Sequence, residues 1–406
     1  MNTEVEKYEN GVLTISLSGK IDSLNAPEVE ESIHQARLQY PSESIVLDCD
    51  QLKTISSAGL RVILRLKQET DDTRMINVHP EVYEILDITG FVELIEVQKA
   101  YRVISLEGCQ IIGQGANGKV YRYDRETIVK VYLNPESLSE IQREREVART
   151  AFILGVPTAI PYDVVRIEGG GYGSVYELLN AKSYAQLLKD GDKTLDEIAE
   201  MSVKMLKLIH SKVVKPDSLP DMKAIALNWA MFLKDYLPAD QFEKLVSLIE
   251  AVPQDMHMVH GDYHLKNVML QNGESLLIDM DTLCHGHPIF ELASIYNAYC
   301  GYTATDPMQI VNFLGIDRET GAAFWRKLLE LYLETTDAAV LQAVEEKAEI
   351  IGYTRIMRRE IRRNGLNTEK GQALIAHCRA VLADLLPRTD SLLLDNLQTA
   401  DQSFRA

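Results

Sequence analysis

Along the first hundred residues the apolar positions fall into short clusters whose spacing switches between strand-like and helix-like. VLTISL (Val12–Leu17) reads as an apolar strand closed by Gly19, and SIVL (Ser44–Leu47) as a buried strand. Met75–Val78 and Leu94–Val97 predict two more strands. Between them the period lengthens. Val29, Ile33 and Ala36 recur at spacings of four and three, which predicts a helix over Ala26–Tyr40 with Asn25 as N-cap and Pro27 in its first turn. Leu60, Ile63, Leu64 and Leu66 predict a second helix over Ser57–Lys67, and Val82–Ile88 a short third one closed by Gly90. Strands alternating with helices in this way predict a small α/β domain.

The pattern changes near Gln98. From Ile111 it predicts two strands around a glycine turn and then a helix; from about residue 185 it is mostly helical. One interruption, Met258–Asp281, has short apolar runs flanking a polar loop. The expected organisation is an α/β domain over residues 1–98, a linker over 99–107, a smaller nucleotide-binding lobe over 108–180 and a helical lobe over 181–406.

Composition narrows the classes. A length of 406 residues allows two or three domains, at about 150 residues each. The net charge of −18 disfavours a nucleic-acid binder, which works through a basic excess. Five scattered cysteines, an odd number without metal-ligand spacing, read as reduced thiols. The N-terminal residues lack a signal-peptide pattern, and no apolar run reaches about 18 residues, so the expectation is a cytoplasmic protein without a membrane span.

The segment DCDQLKTISSAGLRVIL (Asp48–Leu64), with GKID at Gly19–Asp22 before it, resembles the STAS domain of bacterial anti-sigma-factor antagonists over roughly residues 3–98. In that family a serine two residues before a glycine is phosphorylated, which maps onto Ser57 ahead of Gly59 and Leu60. Ser56 stands where the family has aspartate. A serine at a helix N-terminus can also be a plain cap, and both readings stand. The resemblance implies an anti-sigma-factor-like protein as partner.

IGQGANGKVY (Ile112–Tyr121) places Gly113, Gly115 and Gly118 in G-x-G-x-x-G spacing, ahead of Val120. A dinucleotide fingerprint runs from strand into helix. Here a second strand, Thr127–Tyr132, follows instead, which is the kinase arrangement for laying backbone N–H groups on ATP phosphates. Lys130, in IVKVY, then has the place of the lysine that binds the α- and β-phosphates. Its acidic partner is Glu144 or Glu146; Glu144 shares the apolar face with Ile141, Ala148 and Ala151 and is preferred. SVYELL (Ser174–Leu179) occupies the place of the adenine hinge, with Glu177 and Leu179 as candidate contacts and Val120 and Ile128 as the apolar roof.

VHGDYHLKNVML (Val259–Leu270) and LLIDMD (Leu276–Asp281) are the strongest signals. They resemble the aminoglycoside phosphotransferase and choline kinase superfamily, over roughly residues 108–390, and imply a bilobal α+β protein-kinase-like fold. The implied roles are Asp262 as base, Asn267 and Asp279 as magnesium ligands, and His264 and Asp281 near metal, phosphates or substrate. A zinc site at His257, His260 and His264 fits less well, because Asp262 and Asn267 suit magnesium chemistry. Gly261 replaces the arginine of H-R-D, Met280–Asp281 replace the Phe-Gly of D-F-G, and Glu291 stands where the family has aspartate. The expected function is ATP- and magnesium-dependent transfer to a small-molecule hydroxyl, regulated by the STAS domain. A protein kinase acting on a STAS serine and a non-catalytic nucleotide sensor are the alternatives. The basic run RIMRREIRRNG (Arg355–Gly365) reads either as a site for an anionic substrate or partner or as a solvated helix face, the second preferred, and Trp325, Tyr332 and Tyr353 read as core.

Overall fold

The computed structural model describes residues 3–114, 118–134 and 138–394. It opens with a strand that apolar spacing does not reveal. Thr3–Glu9 (β1) is mostly polar and exposed, and it pairs antiparallel with Val12–Ile21 (β2). Asn10 (φ 51°) and Gly11 (φ 79°) make the turn, the left-handed pair that a two-residue hairpin requires. Helix α1 (Ala26–Gln39) follows, then β3 (Ser44–Ile55), α2 (Ser57–Glu69), β4 (Asp72–Val78), α3 (Pro80–Ile88), the single turn α4 (Phe91–Leu94) and β5 (Glu96–Lys99). The sheet has the order β1-β2-β3-β4-β5, and every pair after the first is parallel. Leu13, Ile15 and Leu17 of β2 bury against Val29 and Ile33 of α1 and Ile63 and Leu66 of α2 in one apolar core.

Four local expectations need correcting. Gly19 does not end β2; with φ 71° it passes an irregularity and the strand continues to Ile21. β3 runs on to Ile55 because its register against β2 slips between Ser16 and Ser18. Its later buried residues, Cys49, Leu52 and Ile55, are therefore spaced by three rather than two. The last strand begins at Glu96, since Leu94 still belongs to α4. Asn25 makes no side-chain cap; its amide donates to the Lys20 carbonyl at 2.7 Å and its Oδ1 accepts the Asp22 N–H at 2.8 Å, so it ties the preceding loop instead.

Strand β6 (Arg102–Ile104) lies in the stretch expected as linker. After it come β7 (Gln110–Gln114), β8 (Gly118–Arg122), β9 (Thr127–Tyr132), α5 (Leu138–Ile153), β10 (Asp163–Ile167) and β11 (Tyr172–Glu177). β6 pairs in parallel with Val165–Ile167 of β10, so one compact unit is Met1–Glu107 with Val164–Gly171 and the other is Gly108–Asp163 with Tyr172–Ala406. In the second unit β7, β8, β9 and β11 form consecutive antiparallel neighbours.

The helical part carries β12 (Lys182–Ser183), α6 (Tyr184–Asp190), α7 (Leu195–His210), α8 (Met222–Phe232), α9 (Ala239–Glu250), β13 (Met258–Val259), β14 (Val268–Gln271), β15 (Glu274–Leu277), β16 (Cys284–His285), α10 (Pro288–Tyr296), α11 (Met308–Leu314), α12 (Arg318–Leu333), α13 (Ala338–Arg362) and α14 (Glu369–Arg388). Thr194 and Glu197 close α7 with a reciprocal capping box. Trp325, Tyr332 and Tyr353 are buried in the same core as Ile198, Leu206 and Ile209 of α7. No helix among the described residues is long and apolar enough to cross a membrane.

Candidate active site

The site begins with a hairpin. Asn272 (φ 53°) and Gly273 (φ 85°) turn β14 back onto β15, and Val268 pairs with Leu277. That register puts Asn267, just before β14, beside Ile278, just after β15; the Ile278 N–H donates to the Asn267 carbonyl at 2.9 Å. Asp279 follows with φ 63°. Two oxygen-bearing side chains twelve residues apart in sequence thus meet at one end of a hairpin. The Asn267 amide group donates to the Asp262 carbonyl at 3.2 Å, which directs its remaining oxygen elsewhere and ties it to the loop carrying Asp262.

Opposite stands the sheet. Direct partners in antiparallel strands share a face, so Val120, Lys130 and Ser174 lie side by side, with Ile128, Tyr132 and Tyr176 on the same face. Lys130 Nζ lies 2.8 Å from Glu144 Oε1 and 2.8 Å from Asp279 Oδ1. The structure thus puts Glu144, not Glu146, on the lysine. The Glu144 carboxylate also accepts from the hydroxyls of Tyr132 and, at 3.1 Å, Tyr176. Burial alone disfavours the Lys130 ammonium, but Glu144, Asp279 and Tyr132 outweigh it and hold its pKa above the ordinary lysine value. Burial raises Asp279 while Lys130 lowers it, and the net shift is downward. Asp281 is pushed up to about 6 by burial and by the neighbouring Asp279 charge.

Asp262 has a half-exposed carboxylate flanked by His264 Nε2 at 3.8 Å and Arg355 Nη2 at 3.6 Å. His264 is buried, packs edge-on against Phe313 at 4.8 Å, and burial takes its pKa down to about 4, so it is neutral near pH 7. The loop backbone is fixed from below. Glu291, fully buried, accepts the N–H groups of His260 and Gly261. Thr282 donates to the His260 carbonyl at 2.9 Å; Ser294 and Arg355 each donate to the Gly261 carbonyl at 2.9 Å. Gly261 itself has φ +79°, and a Cβ there would stand 2.6 Å from the Thr282 carbonyl oxygen. No arginine of an H-R-D loop fits such a position. Gly261→Ala is expected to lower kcat by about 10²-fold by displacing Asp262 roughly 1 Å, with ATP affinity kept; unchanged kcat in a folded variant would remove the glycine from the argument.

Gly113 lies on β7 and Gly118 opens β8, and Gly115 lies outside the described residues. A Cβ on Gly118 would meet the Val131 carbonyl oxygen at 2.3 Å, so close strand packing alone requires glycine there. β11 ends at Glu177, and Leu179 lies half-buried in the connection to β12. Ser57 belongs to the other unit. The cap falls to Ser56, whose Oγ accepts from Ala58 N at 3.2 Å, and Ser57 is exposed at the first helical position. Among the described residues no three His, Cys, Asp or Glu side chains converge as a metal cluster, and His257, His260 and His264, the disfavoured zinc alternative, form none. The Asn267 amide oxygen and the Asp279 carboxylate are hard oxygen donors, a set that fits magnesium, which uses one or two protein ligands beside phosphates. Arg355 enters the sequence reading only as the first residue of the basic run, and Tyr132 and Tyr176 are not among its site residues; for the tyrosines, the two-residue strand period relative to Lys130 and Ser174 is the signal that points to them.

The profile of the phosphotransferase enzyme family matches residues 108–329, more than half the chain, and that of the STAS domain matches residues 3–104. The chain belongs to the phosphotransferase enzyme family. Its N-terminal part is a STAS domain. BtrV of Bordetella bronchiseptica, described as an anti-sigma factor antagonist, is 34% identical over 101 residues, covering 24% of this chain and 85% of that protein. The anti-sigma F factor antagonist of Paenibacillus polymyxa is 29% identical over 102 residues, covering 24% and 87%. Among solved structures, a thermostable mutant of aminoglycoside phosphotransferase APH(4)-Ia superposes with a TM-score of 0.48 at 14% identity, covering 69% of this chain and 97% of that one. The streptomycin–ATP complex of APH(2")-IIa gives 0.46 at 16%, covering 68% and 93%.

Proposed function

We propose that this phosphotransferase moves the γ-phosphoryl group of ATP, with magnesium, to a hydroxyl of a small molecule, and that the STAS domain regulates it. The observation that carries the reading is the chain of contacts that links Glu144, Lys130 and Asp279, with Asn267 tied to the Asp262 carbonyl beside them, from four separate segments. Lys130, held charged by Glu144, would bind the α- and β-phosphates. Val120 and Ile128 would roof the adenine, and the backbone near Glu177 and Leu179 would hydrogen-bond its edge. Asn267 and Asp279 would hold magnesium, which supplies neutralisation of charge on the phosphates. Asp262 would orient the acceptor hydroxyl and take its proton as the oxygen attacks the γ-phosphorus and the bond to the bridging oxygen of ADP breaks. Neutral His264 beside it would donate or accept a hydrogen bond without adding charge. Asp281, close to Asp279, would sit at the metal or substrate side.

The STAS relatives named as anti-sigma factor antagonists support an anti-sigma-factor-like partner for the first domain, with the exposed Ser57 as its phosphorylation candidate. That exposure also keeps a second reading, a serine kinase acting on a STAS hydroxyl. The test is incubation of the full chain with magnesium and γ-labelled ATP, with and without a panel of hydroxylated metabolites. Label on a small molecule is the expected result. Label on protein that is lost in Ser57→Ala would support the second reading, and bound ATP without any transfer would leave only a nucleotide sensor.

A further inference from the structure

The helix that reaches Asp262 carries more cations than the loop needs. On α13, Arg355, Arg358, Arg359 and Arg362 recur at spacings of three and four, so they form one stripe along a single helix face. Arg355 is at the reacting end, 3.6 Å from the Asp262 carboxylate. Rising about 1.5 Å per residue, the helix places Arg358 roughly 4.5 Å and Arg362 roughly 10.5 Å further along its axis. That span is the length of a small metabolite.

Arg359 and Arg362 are exposed, as a solvated face predicts, but Arg355 and Arg358 are half-buried and three of the four arginines are braced on rings. Arg355 lies 5.3 Å over the Trp229 ring, Arg358 5.8 Å over Phe232, and Arg359 5.3 Å over Tyr302. Trp229 and Phe232 are themselves three residues apart on α8, so two helices supply a row of cations and a matching row of aromatic braces. Bracing on ring faces fixes a guanidinium without neutralising it. Arg359 donates to the Tyr302 hydroxyl at 2.7 Å. Among the described residues, none of Arg358, Arg359 and Arg362 has a carboxylate in ion-pair reach, and the buried Nε of Arg358 has no hydrogen-bond partner. Burial and the neighbouring Arg362 charge both press Arg358 below the ordinary arginine pKa, the condition a bound anion would relieve. All this stands on a chain whose net charge is −18.

We infer that the acceptor carries an oxyanion, a carboxylate or a phosphate, which Arg358 and Arg362 hold while its hydroxyl meets Asp262. This rests on the phosphotransferase reading and names its substrate class. A forked guanidinium with a free N–H edge suits planar carboxylate or phosphate recognition. A polycationic acceptor would instead place like charge against Arg355 and Arg358.

The test uses the full chain saturated with magnesium and a non-hydrolysable ATP analogue. Glycerate, glycerol 3-phosphate, glycerol, choline and kanamycin are titrated by calorimetry, and each is assayed as acceptor with ATP by ADP release. At least one of the two anions should bind ten times or more tighter than glycerol, the two together distinguishing carboxylate from phosphate. Arg358→Ala and the exposed Arg362→Ala should each weaken that binding by about tenfold, and Arg358→Lys by less. In turnover the loss should fall on KM. The inference is overturned if neither anion binds more tightly than glycerol, if choline or kanamycin is the better ligand or acceptor, or if binding is unmoved in the arginine variants. Failure to bind the ATP analogue at all would instead count against the phosphotransferase reading itself.

Discussion

Asp262→Asn is expected to lower kcat by about 10²- to 10⁴-fold, the range for losing a positioned general base, while leaving ATP binding within a few-fold of the parent. The amide is isosteric with the carboxylate. The contacts it disturbs, Arg355 at 3.6 Å and His264 at 3.8 Å, are long and the Asp262 carboxylate is half-exposed, so the fold has little to lose. The loop itself hangs on backbone bonds to Glu291, Ser294, Thr282 and Arg355, none of which involves the Asp262 side chain. Loss of turnover without loss of nucleotide affinity therefore isolates the proton-accepting role. Steady-state ADP release and a nucleotide titration on the same preparation decide it. A variant that keeps full kcat would remove Asp262 from the mechanism and leave the site without a base.

Much of this site is written in local sequence because its geometry is local. Asn267 and Asp279 are brought together by a hairpin whose Asn272–Gly273 turn and flanking apolar strands are all contiguous. Lys130 and Glu144 lie fourteen residues apart, and helical phase distinguishes Glu144 from Glu146 because only one of them points inward. Arg355 shows where such reasoning ends. It bonds a carbonyl ninety-four residues away, and nothing in its own helix says which loop it will meet. A run of arginines has the same sequence appearance whether solvated or braced on rings supplied by another helix.

In the first domain the elements that depart from the apolar pattern do so for a common reason. β1 is a polar edge strand, and an edge strand with one exposed face need not alternate. The Asn10–Gly11 pair is the signal that it leaves unused. β3 extends beyond its apolar run because a slipped register breaks the period of two by which a strand is recognised. Parallel pairing of β6 with β10 is likewise invisible to a linear reading, since the two strands are some sixty residues apart and β6 has a single buried residue, Ile104. Elements that bury one continuous face are legible; those defined by a remote partner are not.

Asp279→Asn is expected to remove the magnesium dependence of ATP binding and to lower kcat/KM by about 10²-fold or more, since even the outer partners of metal ligands are worth 10- to 100-fold. The substitution takes away one formal charge and keeps the shape. Lys130 would retain Glu144, buried and braced by Tyr132 and Tyr176, so the lysine stays charged and placed. Asp281 would lose the charge that raises it toward about 6, and at neutral pH it would be more fully ionised than in the parent. That change works against the expected loss: an ionised Asp281 close by could partly replace the missing carboxylate. Asp279→Asn combined with Asp281→Asn should therefore be more severe than the single variant, by more than Asp281→Asn costs alone. The measurement is ATP affinity with magnesium and with chelator for all four proteins. In the parent, magnesium should tighten binding; in Asp279→Asn the two affinities should converge. Undiminished magnesium dependence in the double variant would show that the metal is held elsewhere, and the role given to the end of the hairpin would have to be abandoned.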